Sequence, residues 1–429
     1  MKNRYFTIIL AFIILLIVPS FSNCTENMDD YPDFMKKHME KKISESIYYT
    51  KNTKNTITNI NNNFNLKLYN QLKSNPGNIF YSPYSIVMAL TMLYAGSDGN
   101  SKLQIEKAMG LSGNSTELYQ SVKDLQDMVT ESQTQNKFEL SIANAFWIQN
   151  NLNIINDFNQ ILNKYFHSEI KKVDFRTQSE QIRVSINQWV EKITHDKIKD
   201  LFPRGSIINA TRFVVVNAIY FKAEWDKPFK EKYTKPDNFY VNPGNTINIP
   251  FMKQQKNYRY MKNNHLEMIE LYYKDYGASM YILLPVDKYG LASLESQITE
   301  ENLNVWLEQL SSRLISLYMP KYKMEDSFEL NKILLSLGIS DVFSPQRSNL
   351  SGITKDIPLS VSAALHKAVI EVDEEGTVAA AATGIMGVSG ALKMPEPIIV
   401  KVNHPFIFFI RYNKTGAVLF MGRVVNPGR

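Results

Sequence analysis

Apolar positions recur along this chain with two different periods. Residues 64–72 place Leu66, Leu68, Tyr69 and Leu72 among polar neighbours with the spacing of an amphipathic helix, and regular structure is expected to begin near Ile57. Over 182–201, Ile186, Trp189, Val190, Ile193, Ile198 and Leu201 fall on or near one helical face, which predicts a helix ended by Pro203. Residues 213–221 are apolar almost throughout, as in a strand buried on both faces. Strand-like runs follow at 278–284, 315–319, 368–372, 398–402, 406–412 and 417–424. Helices come first and most strands later, without regular βαβ spacing or an internal repeat. That order predicts an α+β domain built on large mixed or antiparallel sheets.

One stretch fits neither period. Residues 374–383 run Glu374, Glu375, Gly376, Thr377, Val378, Ala379, Ala380, Ala381, Ala382, Thr383, and the loose segment 384–390 follows. Alanine favours a short helix. However, glycines at 376, 384, 387 and 390 leave seven uninterrupted residues, too few for an unsupported helix, and the alanines offer almost no apolar stripe. The other reading is a segment with side chains small enough to become a strand between strands already packed.

Composition narrows the class. The chain has 429 residues, of which 44% are apolar and 21% charged, an ordinary globular balance. Its long apolar run is at the start: a basic tip with Lys2 and Arg4, an apolar core from Tyr5 to Val18 and a small-x-small site at Ser20 and Ser22 read as a signal peptide over 1–22. The expected product is secreted, with no membrane span once the signal is removed. A polar, charge-mixed extension follows over 23–55. The single cysteine, Cys24, excludes an internal disulfide. Sequons at Asn23, Asn114, Asn209, Asn349 and Asn413 support glycosylation. The formal charge of +6 includes Lys2 and Arg4 and is dispersed, which argues against nucleic acid as a partner.

No pattern of an enzyme is present. The G-x-S-x-G elbow, the His-Glu-x-x-His metal pattern, the P-loop and the dinucleotide glycine fingerprint are all missing, and six scattered histidines with one cysteine give no metal cluster. His366 stands out at the edge of an apolar segment, where a hydrogen-bonded structural role is favoured over a catalytic one. No cofactor is expected.

Several separated segments resemble the serpin family. Residues 78–86 (Asn-Ile-Phe-Tyr-Ser-Pro-Tyr-Ser-Ile) are similar to its early signature and 217–225 (Asn-Ala-Ile-Tyr-Phe-Lys-Ala-Glu-Trp) to its central-strand signature. Ser348 to Ile353, His366-Lys367-Ala368, the small-residue run, Asn403-His404-Pro405-Phe406 and 420–427 follow in the family's order. The resemblance implies a domain over 56–429 with three β-sheets, about nine helices and an exposed reactive loop at about 375–397. In this family a target serine protease cleaves the loop and is trapped as an acyl-enzyme while the loop inserts into the largest sheet. Glu374, Gly376, Thr377, Ala379, Ala380, Ala381, Ala382 and Thr383 would be the hinge. Ser82, Ser85, Asn217 and His366 would form a polar cluster under the sheet opening, with Trp225 and Lys367 near the point where the loop enters.

The bond to be cut is expected at Lys393–Met394, with Gly390–Ala391 as the alternative and Leu392 or Met386 after it. The usual spacing from Gly376 gives Gly390–Ala391, whereas counting back from Asn403 gives Lys393–Met394, and Lys393 carries the charge that a trypsin-like pocket reads. A monomer is expected. The segment 118–130 carries Lys123 alone as a base, so glycosaminoglycan binding there is not expected. The alternatives are a carrier or chaperone on the same fold, or an inhibitor of elastase-like or cysteine proteases.

Overall fold

The computed structural model describes residues 57–135, 138–168, 170–377 and 396–428. The signal peptide, the polar extension with Asn23, and positions 378–395 lie outside them. Among the described residues there are nine α-helices and two hydrogen-bonded sheets of nine and six strands.

Four helices come almost in succession: α1 (Ile57–Leu72), α2 (Pro83–Gly96), α3 (Gly99–Met109) and α4 (Ser115–Thr134), with the short strand β1 (Ile79–Tyr81) between the first two. Helix α2 is buried nearly all round, which explains its apolar sequence. Its start is fixed locally: Pro83 sits in the first turn, and the capping Ser82 Oγ accepts the Ser85 N–H at 3.1 Å.

The six-stranded sheet has the order β10 (Tyr322–Glu329), β11 (Ala363–Val372), β4 (Phe213–Glu224), β2 (Glu139–Gln149) and β3 (Ile170–Val173), and β12 (Gly376–Thr377) also pairs with β4. The expected central strand is β4, buried along nearly its whole length. Phe213, Val215, Ile219 and Phe221 face the main core with α2, while Val214, Val216 and Ala218 face α6 (Phe175–Ile193). Helix α5 (Asn156–Phe166) lies in sequence between β2 and β3.

The predicted helix over 182–201 is corrected at both ends. It begins at Phe175 and stops at Ile193, short of Pro203. Thr194 ends it: Oγ1 donates to Val190 O at 2.8 Å and accepts the Ile198 N–H at 3.2 Å, while His195, Asp196 and Asp200 adopt φ of 51°, 60° and 50°. The apolar periodicity of Ile198 and Leu201 comes from a turn folded back onto the same core.

The nine-stranded sheet runs β1, β15 (Val418–Val424), β14 (Phe406–Tyr412), β8 (Ala278–Pro285), β7 (Leu266–Tyr272), β6 (Asn245–Lys262), β9 (Ser311–Pro320) and β13 (Ile398–Lys401), with β5 (Lys235–Asn242) on β6. The 18-residue β6 pairs with β5 at one end and β7 at the other, and so joins what would otherwise be two sheets. Helices α7 (Leu291–Ser296), α8 (Glu300–Gln309) and α9 (Leu330–Ser336) complete the set.

Gly422 of β15 lies opposite Phe80 on one side and Phe408 on the other, and the two rings stack at 6.0 Å. A Cβ at Gly422 would collide with the Phe408 ring. Gly422→Ala is therefore expected to lower unfolding stability by about 1–3 kcal/mol, read as the midpoint of denaturant unfolding. An unchanged midpoint would show that the rings repack freely.

Candidate functional site

The feature that sets this fold apart is at the top of the six-stranded sheet. Strands β4 and β11 pair in parallel from Val214 with Ala363 up to Tyr220 with Val369, and there the pairing stops. Above it, Ile370–Val372 pair with β10 and not with β4. The chain then reverses at 373–376 and lays β12 antiparallel on the vacated end of β4, with Gly376 opposite Glu224 and Thr377 opposite Ala223.

The reversal is held at each step. Asp373 Oδ1 accepts the Glu375 and Gly376 N–H groups at 3.0 and 3.2 Å, Trp225 N–H donates to Glu375 O at 2.8 Å, and Phe229 N–H donates to Glu374 O at 2.7 Å. Trp225 Nε1 donates to Asp373 O at 3.0 Å, and its ring stacks on Tyr273 at 4.6 Å. Gly376 is the residue this geometry requires. Its φ is 153°, and a Cβ there would run into the backbone of Ala223, Glu224 and Trp225. Thr377 is fully buried, with its hydroxyl 3.2 Å from that of Tyr273.

Glu374 is the buried charge of the turn. Its carboxylate pairs with Lys321 at 2.6 Å and accepts the Thr234 hydroxyl at 2.6 Å. Burial pushes its pKa up, but Lys321 and Thr234 outweigh this and hold the carboxyl below the usual range.

Lower in the sheet, His366 of β11 stands opposite Asn217 of β4. Ser82 N–H donates to His366 Nε2 at 3.1 Å, so the ring hydrogen is on Nδ1, which donates to Asn217 Oδ1. Asn217 Nδ2 in turn donates to Ser85 O at 2.8 Å and Asn144 Oδ1 at 2.7 Å, and Ser82 Oγ donates to Leu419 O at 2.7 Å. Ser82, Ser85, Asn217 and His366 are thus brought together in a clasp across the pair of strands where the parallel pairing lies. Trp225 lies at the reversal. Lys367 does not: it pairs in register with Ala218 at the level of the clasp, bonds Lys199 O at 2.6 Å on the outer face and pairs with Glu325 at 2.6 Å.

Several participants were missed from sequence: Asn144, Tyr273, Thr234 and Lys321. Asn144 had a signal, since it is the polar residue inside the apolar run Ile142 to Ile148. The others are ordinary residues whose role comes from distant contacts. Of the sequons, Asn114 and Asn209 are exposed and use their side-chain oxygens, to Thr116 N–H and Ser179 Oγ. The Asn413 amide nitrogen is taken up by Tyr276 O and Ser279 Oγ, and Asn349 is half-buried. The other named positions of the small-residue run, Ala379, Ala380, Ala381, Ala382 and Thr383, and both bond choices, Gly390–Ala391 and Lys393–Met394, lie outside the described residues.

Among the described residues no group of three or more His, Cys, Asp or Glu side chains is placed to hold a metal, and no helix is long and apolar enough to cross a membrane.

Burial lowers the His366 pKa from its ordinary 6.5 to about 3. The neutral ring thus contributes fully above about pH 6.5. As pH falls from there toward about 3, the unfolded chain takes up a proton that the folded chain does not, and stability falls by about 1.4 kcal/mol per pH unit. The denaturant midpoint gap between wild type and His366→Gln is expected to shrink between pH 7.5 and pH 5. Asp326, raised by burial to about 6, acts in the opposite sense in both proteins and cancels. A gap independent of pH would show that His366 is not held as a buried neutral base.

A family model described as "Serpin (serine protease inhibitor)" matches residues 59–427. Serpin B4 of Homo sapiens is 35% identical over 394 residues, covering 87% of this chain and all of that protein. Leukocyte elastase inhibitor of Sus scrofa is 36% identical over 382 residues, covering 86% of this chain and 98% of its own. The crystal structure of uncleaved ovalbumin superposes with a TM-score of 0.78 at 30% identity, covering 87% of this chain and 100% of that one.

Proposed function

The chain belongs to the serpin family, and from that premise we propose that it is a secreted suicide inhibitor of serine proteases with a trypsin-like target. The observation that carries the inhibitory reading is β12: Gly376 and Thr377 of the small-residue run already lie on β4, at the end that β11 has left free.

Continuing that register downward would bring Ala379 opposite Phe221, Ala381 opposite Ile219 and Thr383 opposite Asn217. Those β4 side chains face the closed core, so larger residues arriving there would cost about 1–3 kcal/mol each. The outward set, Val378, Ala380 and Ala382, is also small. Insertion would exchange the β4–β11 pairing for two new ladders and bury apolar area, which supplies a driving force. It also requires the His366–Asn217 contact to open, and Thr383 would deliver a hydroxyl to Asn217 as it does.

Thr377→Arg, which must also displace residue 377 from its buried place beside Tyr273, or Ala380→Pro is expected to abolish the detergent-stable protease complex. A complex at wild-type yield would rule out insertion as the trap.

The trypsin-like reading rests on Lys393. A cut there lengthens the tether by three residues relative to Gly390–Ala391, about 10 Å at roughly 3.3 Å each, so some substrate-like turnover should accompany trapping. Secretion rests on the signal-like residues 1–22, and glycosylation is best supported at Asn114 and Asn209. Amino-terminal sequencing of complex formed by protein from culture medium reads both ends: a mature start at Asn23 and a released fragment starting at Met394 are expected. A fragment starting at Ala391 would overturn Lys393, and a chain that keeps 1–22 would overturn signal cleavage.

A carrier is the second reading. A cavity of about 170 Å³ lies between α1, α8 and strands β14 and β15, with Leu66, Leu303, Leu307 and Met421 on its apolar side and Asn62 and Arg411 on its polar side. It would become the leading reading if no protease forms the complex.

A further inference from the structure

One face of the nine-stranded sheet, on the strands around β13, carries a row of side chains only partly taken up by the core. Lys253 of β6, Tyr318 of β9 and Lys401 of β13 are register partners across three neighbouring strands. Both ammonium groups lie over the same ring, at 4.9 and 5.1 Å from its centroid. In the next row, Gln255, Ser316 and Ile399 are partners, and Ile399 is 64% exposed on the edge strand. Leu317 and Met319, on the alternate face of β9, are completely buried. On the face of the row, Tyr318 is half-buried against the edge of the core and Ser316 is buried, while Ile399 and Lys401 are exposed.

Its electrostatics are one-sided. Lys401 reaches Asp237 at 3.3 Å, but Lys253 has no carboxylate partner among the described residues. The Tyr318 hydroxyl is held below its ordinary pKa, chiefly by Lys253. Two ammonium groups over one ring, with the exposed Ile399 in the next row, make a surface that attracts a negatively charged protein and then offers it apolar contact.

Position selects the occupant. β13 begins at Ile398, five residues after Lys393, so a protease gripping the loop is tethered within about 26 Å of Lys401, at roughly 3.3 Å per residue. We propose that Lys253, Tyr318, Ile399 and Lys401 form a secondary docking surface for an acidic segment on the rim of the target protease's active-site cleft. The proposal rests on the inhibitory reading above. The surface would raise the association rate and favour acidic-rimmed proteases, while the loop alone supplies the bond that is cut.

The test uses whichever member of a trypsin-, chymotrypsin- and elastase-like panel the wild-type protein traps fastest. Association rate constants are compared for wild type, the double variant Lys253→Gln with Lys401→Gln, and Ile399→Ser, at low and high salt. The expected result is about a tenfold lower rate for the double variant at low salt, converging with wild type at high salt. Ile399→Ser should be slower at both salts. The number of inhibitor molecules consumed per protease should be the same in all. Rates within twofold of wild type for both variants would overturn the docking surface while leaving the inhibitory reading intact. A defect seen only when heparin is added would overturn it in favour of a sulfated polysaccharide. Absence of a covalent complex with every protease would instead overturn the inhibitory reading on which it rests.

Discussion

The parallel pairing of β4 with β11 is the constraint on which the rest of this structure depends. It closes the six-stranded sheet with seven register pairs, yet it ends before either strand does. Parallel pairing is slightly less stable per residue than antiparallel, and these two strands are separated in sequence by most of the nine-stranded sheet. Their contact is made by tertiary packing. The ladder is reinforced by one side-chain clasp, in which a buried neutral histidine is held between Ser82 at the start of α2 and Asn217 of the opposite strand. The clasp crosses the same line as the ladder and ties β11 both to β4 and to the start of α2.

The reversal at 373–376 exploits the free end of β4. Each element there answers a specific physical demand: Asp373 takes two backbone donors, Glu374 brings its charge into the interior only with Lys321 and Thr234 to meet it, and Gly376 allows the backbones to touch. Thr377 follows with a side chain small enough to disappear beneath the sheet. Gly376 and Thr377 occupy the end of β4, and further along that strand Val214–Tyr220 are paired with β11. The reversal above and the clasp below are thus linked through one shared strand, β4.

Much of the fold was legible before any coordinates. The amphipathic α1, the doubly buried β4 and the apolar runs of β8, β14 and β15 carry their own periodicity, and the structure places strands and helix where that periodicity lies. The helix expected over 182–201 shows the limit. Its apolar positions past Ile193 belong to turns that fold onto the same core, and the stop is a threonine hydrogen bond followed by left-handed backbone. Burial alone cannot distinguish a helix from a turn that reaches the same place. The long polar-patterned β6 and the two-residue β12 carry no comparable periodic signal, because their pairing comes from partners far away in the chain.

By itself the sequence determined the class of fold, the family signatures and the smallness of residues 376–383, since these follow from side-chain volume, local periodicity and residue order. Tertiary structure decided where the parallel ladder stops, that Thr377 already lies beneath the sheet, that Lys367 belongs to the level of the clasp, and that Glu374 meets the charge of Lys321 and the hydroxyl of Thr234. The physical reason is the same in each case: volume and polarity are properties of a residue, whereas register and charge pairing are properties of two residues brought together from distant parts of the chain.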